Sequence, residues 1–246
     1  MVTGVNWSHP LNRGLLAWWP AAATQWRGAA WVDLVGRNPA RLTGEPTGRN
    51  NYGRSLGCSA PTHGAIPADS PRYGVDAWTL TAWVYPTSLS TFHTVFRRGD
   101  TYDLQRHIAV WLTPTGVYVA SRGGGTAVTT TPAPATNRWQ QIAVSCTGTG
   151  SVSVQLDGLL AGTGSLAPST SYSGVLSIGT STASAGTYAF SGSISDVLLS
   201  GRAMVAAEIS SLYRESLAGY PGMLIRSRPR RIATSSAKRP AILVMP

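Results

Sequence analysis

The stretch Trp78–Pro86, WTLTAWVYP, decides the fold class, because its residues alternate between two faces as they do in a β-strand. Trp78, Leu80, Ala82 and Val84 fall on one face of this strand. Its other face carries two threonines, Trp83 and Tyr85. A strand with large side chains on both faces is typical of the middle of a packed sheet.

The rest of the chain predicts further short strands, because turn residues recur about every ten residues. Residues 107–112 are predicted to pair with 117–121 across the turn-like tetrad 113–116, TPTG. The dipeptide Asp157-Gly158 between two apolar runs predicts another hairpin. Only residues 205–217 have helical spacing of apolar side chains. The sequence therefore predicts an all-β fold with one short C-terminal helix.

The charged residues are unevenly distributed along the chain. It has 246 residues, 20 basic and 10 acidic, for a net charge of +10. The last 21 residues contain no acid and six basic residues: Arg226, Arg228, Arg230, Arg231, Lys238 and Arg239. We expect an irregular N-terminal arm (1–12), a sandwich domain (13–219) and an irregular basic C-terminal tail (220–246). Such a tail contacts an acidic surface, a nucleic acid or another subunit, or is a solvated end.

Four segments in series resemble the laminin-G-like (type 3) branch of the concanavalin A-like lectin/glucanase superfamily. They are residues 14–20 (GLLAWWP), 78–86 (WTLTAWVYP), 138–144 with 154–158 (RWQQIAV and VQLDG), and 190–213 (FSGSISDVLLSGRAMVAAEISSLY). The resemblance implies an antiparallel two-sheet jelly-roll sandwich. It implies no function, because this fold serves lectins, hydrolases and structural modules alike.

Signals for catalysis are weak in this sequence. Glucanases of the superfamily use a strand with Glu-x-Asp-x-Glu, and no such run occurs here. The four histidines show no metal-ligand spacing with one another or with cysteine. We therefore expect a protein that is not an enzyme.

No cofactor is expected, and calcium is the one candidate metal, with Asp100, Asp103, Asp157 and Asp196 as candidate ligands and the first two as the expected site residues. A turn aspartate more often caps the backbone. Cys58 and Cys146 are too few for a disulfide framework, and we expect free buried thiols, although the sequence leaves a single bridge open.

Trp83 and Tyr85 are the candidate carbohydrate-binding residues, on the face of the strand opposite to Trp78. If that face is open, Trp83 stacks on a sugar ring. If it is covered, Trp83 packs against protein. We favour burial, because large aromatic side chains are usually well buried.

The segment from Leu212 to Arg231, with its Gly-Tyr-Pro run and arginine-rich end, resembles the ends of laminin-G-like proteins of tailed phages. That resemblance implies a virion structural protein, a capsid decoration or tail and fibre component assembled in the host cytoplasm. Its partners would be the major capsid protein or tail subunits, and a homo-oligomer stays open. The docking residues we expect are Trp7, Tyr220, Arg226, Arg228, Arg230, Arg231 and Arg239.

Two alternatives remain. The first is a lectin-like module that binds host or environmental glycans through a concave aromatic patch. The second is nucleic-acid binding by the basic tail, which lacks the interleaved aromatic residues that stack on bases. No stretch approaches the ~20 apolar residues of a membrane-spanning helix, so no membrane partner is expected.

Overall fold

Eighteen β-strands and one α-helix make up most of the described chain in this computed structural model. The structure describes residues 2–20, 26–27, 30–35, 39–42, 48–50, 53–58, 65–67, 77–98, 108–121, 128, 130, 132–166, 176–180 and 188–226. The elements are β1 (Val2–Val5), β2 (Leu15–Trp19), β3 (Trp26–Arg27), β4 (Ala30–Trp31), β5 (Ala40–Leu42), β6 (Gly48–Asn50), β7 (Gly53–Cys58), β8 (Ala65–Pro67), β9 (Trp78–Pro86), β10 (His93–Arg98), β11 (Ile108–Thr113), β12 (Gly116–Ser121), β13 (Gln140–Cys146), β14 (Ser151–Leu156), β15 (Leu159–Ser165), β16 (Leu176–Ile178), β17 (Gly192–Ser200), α1 (Ala206–Leu217) and β18 (Leu224–Arg226).

Two antiparallel sheets form the sandwich. The first sheet has the strand order β12-β11-β10-β16-β8-β5-β4-β3. The second sheet has the order β15-β14-β13-β9-β17-β7-β6, with β2 also paired to β17. The predicted two-sheet antiparallel sandwich with one helix near the C-terminus is confirmed.

Side chains from both sheets meet in one apolar core. From β9, Trp78, Leu80, Ala82 and Val84 enter this core, as the alternation predicts. They meet side chains of the first sheet such as Phe96. The core is therefore built by one face of each sheet, as in other sandwiches.

The outer face of the second sheet is covered by α1. A second apolar cluster lies there and includes Trp18, Ala143 and Leu198 from strands and Ile209 and Leu212 from the helix. This amphipathic packing explains the helical spacing seen in the sequence. No helix in the described residues is long and apolar enough to cross a membrane.

Hydroxyl groups fix the segment that leads into α1. The Thr79 hydroxyl donates to the Arg202 carbonyl at 2.8 Å and accepts from the Met204 amide at 2.9 Å. The Ser145 hydroxyl donates to the Met204 carbonyl at 2.9 Å. Threonine and serine on this face therefore satisfy buried backbone groups that no strand partner reaches.

The N-terminal residues are not an irregular arm, which corrects the prediction for residues 1–12. The strand β1 pairs with β18, and a 3-10 turn follows at Pro10–Asn12. The Asn12 side chain is buried and donates to the carbonyls of Asn6 and Met223 at 2.8 and 3.0 Å. The two ends of the described chain are thus held together by backbone pairing and by amide bonds that sequence spacing does not reveal.

The C-terminal boundary also lies beyond the predicted residue 219. Tyr220 is buried, and its ring lies edge-on to Trp18 with the centroids 4.7 Å apart. Tyr220 is therefore a packing residue and not an exposed docking residue. Residues 227–246, most of the predicted basic tail, lie outside the described residues.

Both cysteines are free and buried, as expected. Burial raises the pKa of the Cys58 thiol strongly and that of Cys146 to about 11. Both side chains therefore serve as small apolar groups in the core.

Gly192 gives a test of how closely β9 and β17 approach. Its φ is +138°, and a Cβ atom there would overlap the Tyr85 carbonyl oxygen, which is backbone and cannot move aside. We expect Gly192→Ala to lower the free energy of unfolding by at least about 2 kcal/mol in urea denaturation. Gly148→Ala is the matched control, because its nearest atom would be 3.8 Å away. Equal stability of the two variants would contradict this packing.

Glu208 gives a pH test of the start of the helix. Its carboxylate accepts from Arg202 Nη1 at 2.8 Å and from the Val205 amide at 3.0 Å, and these bonds lower its pKa from 4.5. The contribution to stability is therefore present above the ordinary pKa and is lost as the pH falls through the lowered value. We expect Glu208→Gln to cost less than about 1 kcal/mol at neutral pH, because the pair is partly exposed. The difference in the free energy of unfolding between the variant and the wild type should vanish in acid. A difference that stays constant at all pH values would argue against this role of Glu208.

Candidate functional site

Four aromatic rings meet on the outer face of the first sheet. Phe92 is the centre of the group, with ring centroids 5.8 Å from Trp111, 5.2 Å from Tyr118 and 6.1 Å from Tyr188. Trp111 and Tyr118 are themselves 5.6 Å apart. We call these four residues the aromatic cluster.

The hairpin of β11 and β12 explains why two of these rings are neighbours. Val110 and Leu112 enter the core, so Trp111 between them faces outward. The register places Trp111 opposite Tyr118, which lies between the core residues Val117 and Val119. Directly opposite residues are the closest cross-strand pair, and the two rings therefore form one surface.

Backbone hydrogen bonds bring in the third and fourth rings. Phe92 immediately precedes β10, at the end of the loop that follows β9. The Thr94 amide donates to the Tyr188 carbonyl at 2.8 Å, and the Thr87 amide donates to the Ser191 carbonyl at 2.8 Å. The loop and residues 188–191 are thus tied together at both ends of the loop.

His93 anchors the same segment from inside. Its Nδ1 donates to the Ala189 carbonyl at 3.2 Å, and its ring lies edge-on to Phe190 with centroids 6.5 Å apart. Burial lowers the pKa of His93, and the bond to Ala189 partly opposes that shift. His93 is therefore neutral near pH 7 and holds the backbone that carries Tyr188.

The cluster is partly open to solvent. Phe92 is 37% exposed, and the other three rings are half-buried. The loop 87–92, TSLSTF, leads to Phe92, and its residues Thr87, Ser90 and Thr91 are exposed. Exposed ring surface with hydroxyl side chains in the adjoining loop suits a ligand that is itself part apolar and part hydroxylated.

Trp83 does not belong to this surface. It is only 7% exposed, its ring stacks on Tyr213 of α1 with centroids 5.8 Å apart, and its Nε1 donates to the Ser216 hydroxyl at 3.2 Å. The side-chain Nε2 of Gln141 donates to the same hydroxyl at 3.2 Å. The helix covers the ring, so the hypothesis of a sugar stacked on Trp83 does not fit this structure, and burial, the favoured alternative, is what it shows.

Tyr85 has a different environment from Trp83. It is half-buried, with its ring 5.6 Å from that of Trp139. Tyr85 and Trp139 form a partly exposed pair on the outer face of the second sheet, apart from the aromatic cluster.

None of the four residues of the aromatic cluster was among the predicted site residues. A signal for two of them was present, because the predicted β11–β12 hairpin pairs Trp111 with Tyr118 once its register is written out. For Phe92 and Tyr188 there was none, because residue separation gives no hint that residues 87–94 and 188–191 are bonded.

The predicted calcium ligands Asp100 and Asp103 lie outside the described residues. Within the part of the chain that the structure describes, no three His, Cys, Asp or Glu side chains converge on a point where a metal could bind. Asp157 occupies its predicted turn, with φ +50°, where it accepts from the Gln141 amide at 2.8 Å and from Arg138 at 2.6 Å.

The predicted docking residues differ in their exposure to solvent, and several lie outside the described residues. Trp7 is 57% exposed, whereas Tyr220 is buried. Arg226 ends β18, and Arg228, Arg230, Arg231 and Arg239 lie outside the described residues.

Solved structures with the same fold have diverse roles. Domain 4 of AbnA, a GH43 extracellular arabinanase from Geobacillus stearothermophilus, solved with arabinotriose, matches 81% of this chain and 98% of its own, with 17% identity and a TM-score of 0.63. The receptor-binding domain of a botulinum neurotoxin C/D mosaic matches 84% of this chain at 11% identity and a TM-score of 0.62. Trypanosoma rangeli sialidase matches 83% at 16% identity and a TM-score of 0.61.

This chain spans about half of the toxin domain and a third of the sialidase, at 52% and 33% of their lengths. At these identities the likeness shows the fold alone. A comparison with curated protein sequences found no match.

A family model covers more than half of the sequence. It matches residues 61–210, which include β9, the aromatic cluster and the first part of α1. The chain therefore belongs to the laminin G type 3 family of the concanavalin A-like lectin/glucanase superfamily.

Proposed function

We propose that this protein is a non-catalytic carbohydrate-binding module whose ligand rests on the aromatic cluster. The observation that carries the proposal is the group of four contacting rings around Phe92, open to solvent on the outer face of the first sheet. A contiguous patch of exposed apolar side chains often marks an interaction site.

The chemistry of this surface matches a sugar. A sugar ring offers C–H groups that pack on an aromatic face and hydroxyl groups that need hydrogen-bond partners. The rings of Trp111 and Phe92 supply the first kind of contact. The exposed hydroxyls of Thr87, Ser90 and Thr91 supply the second.

The comparisons support the proposal at the level of the fold. The arabinanase domain that matches over 98% of its length was solved with arabinotriose, and a sialidase with a matching domain was solved with sialic acid. These sugars are ligands of those proteins, and they are the first sugars to test with this chain.

The environments of the described carboxylates support a non-catalytic role. Glu208 bonds Arg202 and the Val205 amide, and Glu215 accepts from the Gly222 amide at 3.2 Å. Asp33 accepts from the amides of Trp18 and Val35 at 2.8 and 3.0 Å. Each of these carboxylates stabilises backbone, whereas glycoside hydrolysis needs two of them facing one open site.

Substitution of the cluster tests the proposal. We expect Trp111→Ala and Phe92→Ala to weaken binding of the best ligand from a glycan array, or of arabinotriose, at least about tenfold in isothermal titration calorimetry. Binding is expected to weaken because each substitution removes ring surface that is partly exposed in the free protein and that the ligand would cover.

Trp7→Ala is the matched control, because Trp7 is an exposed aromatic residue outside the cluster. Its affinity should equal that of the wild type. Glycan binding that survives both cluster substitutions, or that is lost equally in Trp7→Ala, would reject this site. Circular dichroism of each variant shows whether the fold is retained.

A second candidate is a virion structural protein of a tailed phage, and the terminal structure favours it. Pairing of β1 with β18 places the exposed Trp7 and the start of the basic tail on one side of the domain. A cleft of about 520 Å³ lies between His9–Leu11 and the helix residues Arg214 and Glu215. Exposed tryptophans such as Trp7 are enriched in protein–protein contacts.

Co-sedimentation with phage particles that lack this protein tests the second candidate. We expect Trp7→Ala, and a variant with Arg228, Arg230 and Arg231 changed to Gln, each to reduce co-sedimentation at physiological salt. Trp111→Ala is the control and should bind as the wild type does. Undiminished binding by both terminal variants would exclude docking through the ends.

A further inference from the structure

We propose that the cleft between residues 9–11 and the C-terminal half of α1 binds a small zwitterion, an amino acid with an apolar side chain. The volume of the cleft, about 520 Å³, lies in the range of small-ligand sites. Since α1 packs on the outer face of the second sheet, the cleft and the aromatic cluster lie on opposite sides of the sandwich. The proposal therefore does not depend on glycan binding.

Two side chains of opposite charge line this cleft. Arg214 and Glu215 are neighbours on α1, and neither takes part in an ion pair of the described residues. An amino acid carries an ammonium and a carboxylate group on one carbon atom, so it offers a partner to both side chains at once. A neutral ligand or an ion of one sign would leave at least one of them unpaired. Charge complementarity therefore favours a zwitterion.

Hydrogen bonds hold both charged groups in place and leave one polar atom of each without a bond in the described residues. Nε and Nη2 of Arg214 donate to the Ser210 carbonyl and the Ser211 hydroxyl at 3.4 and 3.2 Å. Oε2 of Glu215 accepts from the Gly222 amide at 3.2 Å. Nη1 of Arg214 and Oε1 of Glu215 are left for the carboxylate and the ammonium of the ligand. Groups that are held before binding lose less freedom when the ligand arrives.

His9 adds a hydrogen-bond donor beside Glu215. Its Nδ1 accepts from the Leu11 amide at 3.4 Å, so the proton of the neutral ring lies on Nε2. His9 Nε2 and Glu215 Oε1 lie 3.1 and 3.4 Å from the point that a Cβ atom on Gly222 would occupy. A donor and an acceptor beside the same point match a carboxylate and an ammonium that share one carbon atom.

The rest of the cleft lining is mostly apolar and indicates the side chain of the ligand. Pro10, Leu11 and Ala218 line the cleft, and Pro10 and Ala218 are exposed to solvent. An apolar side chain placed against them would remove apolar surface from water on both sides of the contact. A charged side chain would lose water there without gaining a partner. Leucine is therefore the probe that this cleft fits.

Titration of the full chain with L-leucine, followed by amide chemical shifts in NMR, tests the proposal. We expect saturable shifts at Leu11, residues 211–218 and Gly222, with a dissociation constant of about 0.1 to 1 mM for a ligand of this size. N-acetyl-L-leucine lacks the ammonium, and L-leucinamide lacks the carboxylate. Each should bind at least about tenfold more weakly than leucine, because each leaves one charged side chain of the cleft without a partner.

Arg214→Gln and Glu215→Gln test the two charges from the side of the protein. Glutamine at position 215 keeps an oxygen that accepts from the Gly222 amide, so the fold should be retained. Each variant should weaken leucine binding at least about tenfold. Arg13→Gln is the matched control, because Arg13 is exposed beside the same 3-10 turn and does not line the cleft. Its affinity for leucine should equal that of the wild type, and thermal melting of each variant shows whether it is folded.

Three results would overturn the proposal. The first is the absence of saturable shifts at these amides with leucine up to about 20 mM, well above the expected dissociation constant. The second is equal affinity for leucine and for either of its singly charged analogues. The third is leucine binding that Arg214→Gln and Glu215→Gln leave unchanged, since the ligand would then not contact these charges.

Discussion

Burial of both faces of β9 is the constraint on which the rest of the structure depends. One face supplies Trp78, Leu80, Ala82 and Val84 to the core between the sheets. The other face supplies Thr79, which binds the backbone before α1, and Trp83, which stacks on the helix. A strand buried on both sides needs a layer on each side, and the first sheet and α1 are those layers. The close approach of Gly192 to the Tyr85 backbone sets β17 beside it.

The covering of this strand also decides where aromatic surface stays open. The tryptophan that looked suited to stack on a sugar lies under Tyr213 and donates to Ser216, so its ring is used in folding. On the first sheet no such helix packs on the described residues around Phe92, and the rings of Trp111 and Tyr118 keep part of their surface open. The four-ring cluster thus lies on the first sheet, whereas the helix covers Trp83 on the second sheet and leaves only the Tyr85–Trp139 pair partly exposed there.

Stability and interaction surfaces are separate in this molecule. The carboxylates of Asp33 and Glu208 and several hydroxyls, such as that of Ser145, bind backbone groups and so serve the fold. The features without such a structural use are the aromatic cluster, Trp7 and the exposed side chains of Leu159 and Leu160.

The sequence by itself determined an all-β chain with a single helix and the two faces of β9, because strand and helix periods and turn residues are local properties. The two-sheet sandwich followed from the resemblance to the family, and the sequence favoured free cysteines while it left a single bridge open. It also predicted the β11–β12 hairpin, and its register contains the contact of Trp111 with Tyr118. Only the tertiary structure decided that α1 covers Trp83, that Tyr220 packs on Trp18, that β1 pairs with β18, and that Tyr188 reaches Phe92. These contacts join residues that are far apart in sequence, and which face of a strand is covered depends on where a distant segment packs, which periodicity does not encode.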